Sequence, residues 1–182
     1  MNILVFFALT TNIAGLVWAR FRFFKVSNTS SKKSTYFYDP AVAIQIITPY
    51  YYLFSKGQLG EAQSVIFVVL YCAGFALFWW SIFTATALDF AFSSNVGKLI
   101  TKGPFNIVRH PFYSSYSLLW IGNTILVNSI YLWFTVFYLM AFYLSSARSE
   151  EKAIEKSAHS IEYAIYKTKV GMFLPRIKIW KS

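Results

Sequence analysis

Residues 111–147 read PFYSSYSLLWIGNTILVNSIYLWFTVFYLMAFYLSSA, a run of 37 residues without a charge or a histidine. As one helix it would measure roughly 55 Å, against a bilayer hydrocarbon core of about 30 Å. It is too long for one crossing. Asn128-Ser129 near its midpoint is the natural turn, which predicts two antiparallel helices at about 112–127 and 130–147. Directly before the run stands Gly103-Pro104-Phe105-Asn106-Ile107-Val108-Arg109-His110-Pro111-Phe112-Tyr113. An Arg-His pair at such a boundary is costly in lipid unless it faces protein, water or a ligand. Backbone broken by prolines at that depth needs the same shelter. The segment therefore reads as a site at the membrane face.

Working outward, the same pattern recurs. Asn2 to Ala19 is an uncharged run of 18 residues, followed by Arg20, Arg22, Lys25, Lys32 and Lys33 in a Ser/Thr-rich linker. Its positive charges follow the apolar run, so it reads as a retained helix and not as a signal peptide. Pro40 to Ser55 is a shorter apolar stretch containing Gln45 and Pro49, read as a kinked or tilted span. Residues 56–61 read as a turn. Ala62 to Leu88 has length to spare for a third span. The expectation is an all-α integral membrane protein with about five transmembrane helices. The chain is 57% hydrophobic and 13% charged, far from a soluble average.

The net charge of +10 is explained by where the charges lie. With five spans, residues 20–39, 84–110 and 148–182 share one side and hold 16 of the 17 Lys and Arg residues. Only Lys56 falls opposite. By the positive-inside rule this orients the N-terminus outside and the C-terminus in the cytoplasm. The basic charge is juxtamembrane and favours anionic headgroups, so no nucleic-acid partner is expected. Cys72, the one cysteine, lies in an apolar run and reads as a small buried hydrophobe. No His/Cys/Glu set has metal-ligand spacing, and no metal is expected.

After Ala147 the pattern turns amphipathic. Ile154, Ala158, Ile161 and Ile165 recur at helical spacing, which predicts a cytoplasmic C-terminal helix whose apolar stripe packs back on the domain, ended by Gly171 and Pro175. The antiparallel hairpin brings its two ends together. Arg109, His110 and Tyr113 should therefore lie near Arg148, Glu150 and Glu151. The whole of 1–182 reads as one membrane domain, with N-terminal helices at 1–60 and a core at 62–182 whose site falls in 97–113 and 148–175.

The ordered set Leu99-Ile100-Thr101-Lys102-Gly103-Pro104-Phe105, Arg109-His110-Pro111-Phe112-Tyr113, Glu150-Glu151 and Glu162-Tyr163-x-x-Tyr166 with Val170 and Pro175 resembles the isoprenylcysteine carboxyl methyltransferase family. That family belongs to a wider group of integral membrane methyltransferases that includes phospholipid N-methyltransferases. The resemblance covers about residues 75–176. It implies S-adenosylmethionine as cofactor, with contacts at Gly97, Lys98, Leu99, Ile100, Phe105, His110, Pro111, Phe112, Tyr113, Glu150 and Glu151. It implies Arg148 as the catalytic arginine that orients a substrate carboxylate. The chain departs from the family at Phe105, Ser115 and Ser160, where the family often has Tyr, Gly and Gly.

The residue types suit that chemistry on their own terms. A carboxylate accepts charge-assisted bonds from an ammonium or from ribose hydroxyls. Tyr and Phe faces attract a sulfonium. Methyl transfer is an in-line displacement that needs alignment and water exclusion, and an ionised carboxylate acceptor needs no general base. The expected acceptor is membrane-embedded, most favourably a prenyl- or lipid-linked carboxylate. An amine headgroup or a small thiol is the runner-up. An NADPH-dependent sterol-type reductase and a non-catalytic membrane subunit are the competing classes.

Overall fold

The computed structural model describes residues 2–25, 29–56, 59–85, 88–89 and 99–176. Among them are six helices: α1 (Asn2–Arg22), α2 (Thr29–Lys56), α3 (Glu61–Thr84), α4 (Pro111–Val127), α5 (Ile130–Glu155) and α6 (Ser160–Lys169). Two-residue strands β1 (Phe24–Lys25) and β2 (Leu88–Asp89) pair in parallel and tie the end of α1 to the segment after α3. Residues 27–35, read as a linker, lie largely in the first turns of α2. The apolar half of α2 nucleates the helix, and propagation into a polar stretch then adds one hydrogen bond per residue.

Helices α1, α3 and α5 are each long and apolar enough to cross a membrane. Helix α4 has 17 residues, about 25 Å, and falls short by length. It is the inner helix of the bundle, with eleven of those residues buried, including Ser115, Asn123 and Thr124. A helix walled by protein on most sides needs complementary neighbours more than a lipid-soluble surface. Pro111 starts it, where a missing N–H costs nothing. Asn128 ends it in the left-handed region at φ 52°, and with Ser129 makes the turn into α5.

Close packing around α4 rests on small residues and on polar cross-links. A Cβ on Gly74 of α3 would stand 3.0 Å from the Ser115 carbonyl oxygen, so the glycine permits the approach of α3 to α4. Helix α2 continues through both Pro40 and Pro49. Pro49 has no N–H for the Gln45 carbonyl one turn earlier. The Asn123 side chain of α4 donates to that carbonyl at 2.9 Å. Gln45 Nε2 in turn donates to Thr124 Oγ1, the Leu132 carbonyl and Thr135 Oγ1 at 3.2, 3.3 and 2.7 Å. Fully buried Gln45 thus pins α2 to both arms of the α4–α5 hairpin.

Polarity is inverted relative to a water-soluble domain. Asn12, Gln45, Asn123 and Thr124 are buried, while Phe7, Phe21, Phe83, Phe134 and Phe137 are exposed on the outer faces of α1, α3 and α5. Contiguous apolar outer surface of this kind suits lipid. The protein is a membrane protein.

The C-terminal helix departs from its expected packing. The face of α6 that packs inward carries Tyr163 and Tyr166, which with Val170 gather Leu99 and Ile154. Ile161 and Ile165, expected to pack back, are 78% and 54% exposed. A stripe continued in phase from α5 would bury them, but the chain breaks helix at residues 156–159 and α6 restarts in a new rotation.

Candidate functional site

The site is built where three segments meet: the loop before α4, the last turns of α5 and the chain leaving α6. Gly103 opens the loop at φ 58°, and a Cβ there would stand 2.7 Å from Thr84 Oγ1, so glycine is required for both conformation and space. A 3-10 turn, Gly103–Asn106, follows. Residues 108–110 then run beside 171–172. The Arg109 and His110 N–H groups donate to the Gly171 and Met172 carbonyls at 2.8 and 3.0 Å. This pairing holds the proline-broken backbone against protein.

Helix α5 carries Arg148, Glu150 and Glu151 eight residues beyond the expected end of the span, to Glu155. Glu151 is the hub. Its Oε1 accepts from Arg109 Nε at 3.0 Å and lies 2.9 Å from Arg109 NH2 and 3.2 Å from His110 Nε2. Its Oε2 pairs with Lys167 Nζ of α6 at 3.3 Å. Lys167 also donates to Glu155 at 2.8 Å. Arg109 NH1 turns the other way and donates to the Lys167 and Val170 carbonyls at the end of α6, where a cation is favoured. The Arg109 and Glu151 side chains are 8% and 4% exposed, so every lone pair and proton in this cluster needs its partner.

Glu150 points differently and is 24% exposed. Its Oε1 accepts from the Tyr113 hydroxyl at 2.6 Å, and its Oε2 lies 3.5 Å from His110 Nδ1. Both ring nitrogens of His110 therefore face carboxylates. Burial alone would lower the imidazole pKa. Hydrogen bonds to Glu150 and Glu151 outweigh it, and the net shift is upward. The imidazolium form is the one that can donate from both nitrogens.

Aromatic rings line the same corner. His110 stacks on Tyr113 at 5.7 Å between centroids, and Tyr113 on Tyr143 at 5.0 Å. Phe173 stands edge-on to His110 and Tyr113 at 6.0 and 6.3 Å. Its carbonyl accepts from Ser114 Oγ at 2.7 Å, which fastens the segment after α6 to α4.

The structure thus brings Arg109, His110, Tyr113, Glu150 and Glu151 together, as the hairpin argument required, and leaves Arg148 outside the cluster. Phe105, Pro111 and Phe112 lie just behind, buried. Phe112 packs on Phe23, Phe24 and Phe78, and the Phe105 carbonyl accepts from the Tyr166 hydroxyl. Leu99 packs on the Tyr163–Tyr166 cluster, and Ile100 on the main core. Gly97 and Lys98 lie outside the described residues. Arg148 stands apart from the Glu151 cluster, exposed on α5 and without an ion-pair partner among the described residues.

Several members of the site were not singled out by spacing. The hairpin argument brought Arg109 to this corner without showing that it is the central cation of the cluster. Lys167 enters because α6 folds back on α5, and Ser114 and Phe173 because the chain after α6 returns to α4. The signal that Arg109 would be paired was its own cost, since a charge at the end of an apolar run needs a partner.

A sequence model of the phospholipid methyltransferase family matches residues 62–157. No curated protein and no solved structure matches the chain. The matched stretch runs from the start of α3 through the end of α5, and it contains Arg109, His110, Tyr113, Glu150 and Glu151. It takes in 96 of 182 residues, and together with the inverted polarity of the bundle it shows that the chain belongs to the phospholipid methyltransferase family, within the group of membrane methyltransferases that also holds the isoprenylcysteine carboxyl methyltransferases.

Proposed function

We propose that the protein is an S-adenosylmethionine-dependent methyltransferase acting on a membrane-embedded, lipid-borne acceptor. The observation that carries this reading is Glu150, a partly exposed carboxylate held by Tyr113 and His110, whose rings Phe173 meets edge-on. The donor set fits the cofactor. An open carboxylate suits an ammonium group or ribose hydroxyls, and the half-buried faces of Tyr113 and Phe173 suit a sulfonium. When bound, S-adenosylmethionine supplies the methyl group. Tyr113 and His110 hold the Glu150 carboxylate in place, and the Arg109–Glu151 cluster fixes the wall behind it. The segment after α6 closes one side against water. We place the remaining cofactor contacts at Gly97 to Ile100, Phe105, Pro111, Phe112 and Glu151.

For the acceptor we favour a lipid- or prenyl-linked carboxylate oriented by Arg148. Exposed Phe134, Tyr138, Ala141, Ser145 and Arg148 recur every three to four residues along α5, so an apolar outer stripe ends in a guanidinium. Arg109 is committed to Glu151 and to backbone carbonyls, whereas Arg148 is open. Arg148→Lys keeps the charge and loses the planar fork. It is expected to lower turnover about tenfold, from loss of a charged hydrogen bond, while S-adenosylmethionine affinity stays unchanged. The second reading is an amine headgroup, favoured by the description of the matching family. Full turnover of Arg148→Lys on an amine phospholipid, with none on a carboxylate, would select it.

We read 1–182 as one membrane domain of five spans, α1 to α5, in which the helices of 1–60 pack on a 62–182 core. Both hairpin ends and α6 face the cytoplasm. The short α4 crosses by packing inside the bundle, and α2 crosses beside it, tied to the hairpin by Gln45. Cysteines introduced at Lys102 and Arg176 should label from the same face as each other. Labelling from opposite faces would break the hairpin assignment.

The test of the activity class is ligand-induced stabilisation. A ligand that binds only the native state raises its melting temperature. S-adenosylmethionine should do so with purified protein, and NADPH should not. The reverse result would indicate a reductase, and no shift with either would indicate a non-catalytic subunit.

A further inference from the structure

Two hydrogen bonds join α4 to α5 like rungs. Trp120 Nε1 donates to the Tyr143 hydroxyl at 2.8 Å, and the Tyr113 hydroxyl donates to Glu150 Oε1 at 2.6 Å. The rungs are seven residues apart on both helices, from 113 to 120 and from 143 to 150. Seven residues are close to two turns, so both rungs stay on the facing sides of the hairpin. Tyr143 joins them. Its ring lies nearly parallel to that of Tyr113, at 14° and 5.0 Å. Its hydroxyl is held by Trp120 and stands 3.3 Å from the Tyr38 hydroxyl of α2. Tyr143 is 1% exposed, so it does not itself offer a surface to a ligand.

We propose that Tyr143 is a positioning residue of the site: anchored by Trp120, it holds the Tyr113 ring so that the Tyr113 hydroxyl fixes the Glu150 carboxylate. The proposal rests on the reading of Glu150 as a cofactor-binding group. A phenylalanine would fill the same space, but it would leave the Trp120 N–H without its acceptor and the ring free to slide. A buried donor without a partner relaxes toward another arrangement, because leaving it unpaired is costly. With the anchor gone, the Tyr143 ring is no longer fixed where it stacks on Tyr113.

The test is calorimetric titration of S-adenosylmethionine into the full-length protein in detergent, with Tyr143→Phe, Tyr113→Phe and the double variant. Tyr143→Phe is expected to bind about fivefold more weakly than the wild type. The double variant should bind no more weakly than Tyr113→Phe alone, because the link to Glu150 is already cut. A purely packing role would lower the melting temperature and leave the affinity of the folded protein unchanged, and that result overturns the proposal. An additional fivefold loss in the double variant also overturns it. Trp120→Phe, which removes the anchor and leaves Tyr143 in place, should behave like Tyr143→Phe and serves where the latter does not fold. If the wild type binds no S-adenosylmethionine, the reading of Glu150 fails and this inference with it. If the wild type binds and the cycle is additive, only this inference fails.

Discussion

Replacing Arg109 with methionine is expected to lower stability by about 3 kcal/mol, because it strands a buried carboxylate. The Arg109–Glu151 pair is almost fully shielded, and two guanidinium nitrogens converge on one carboxylate oxygen. His110 and Lys167 remain as partners of Glu151, which sets the loss at the low end for a broken buried pair. The variant also loses the donor that caps the last carbonyls of α6, so that helix should loosen first. Combining it with Glu151→Gln should restore part of the loss, since the amide removes the unpaired charge and two contacting residues do not add. Thermal unfolding of the three variants in one detergent measures this. A melting temperature equal to the wild type for Arg109→Met would mean that the ion pair contributes nothing.

Glu150→Gln is expected to weaken S-adenosylmethionine binding by about 1.5–3 kcal/mol, the range for a hydrogen bond to a charged group. That is roughly ten- to a hundredfold in affinity. Its melting temperature should stay near that of the wild type, because Glu150 is partly exposed and an amide oxygen still accepts from Tyr113. Glu151→Gln should lose both affinity and stability, because its carboxylate also holds the loop and α6 in place. His110→Ala should weaken binding as well, having lost a neighbour of both carboxylates. Calorimetric titration beside thermal unfolding separates the cases. Unchanged affinity in Glu150→Gln, with loss in Glu151→Gln, would leave the inner carboxylate as the one that contacts the cofactor.

The two carboxylates also show why neighbours in sequence part ways in space. On a helix, adjacent residues point about 100° apart. Glu151 is turned into the bundle and Glu150 toward the open corner, and nothing in the pair Glu-Glu itself says which is which. The rotation of α5 is decided by Tyr143, Ala147 and Glu151 packing against α4 and by the loop that supplies Arg109.

By itself the sequence determined the hairpin and its turn, because an uncharged run of 37 residues exceeds one bilayer crossing and Asn128 and Ser129 offer a break near its midpoint. It also determined that the polar ends of that hairpin meet, since antiparallel helices return the chain to where it began. The family follows from the same residues. Tertiary structure alone decided the rest. That Arg109 belongs to Glu151, 42 residues away, depends on a contact no local pattern encodes. That Tyr163 and Tyr166 face inward while Ile161 and Ile165 face out depends on the break at 156–159, which resets the helical phase. That Pro49 is tolerated inside α2 depends on Asn123 reaching the carbonyl the proline leaves open. In each case the deciding term is the satisfaction of a buried polar group or the rotation of a helix. Both are properties of the packed bundle and not of any one segment.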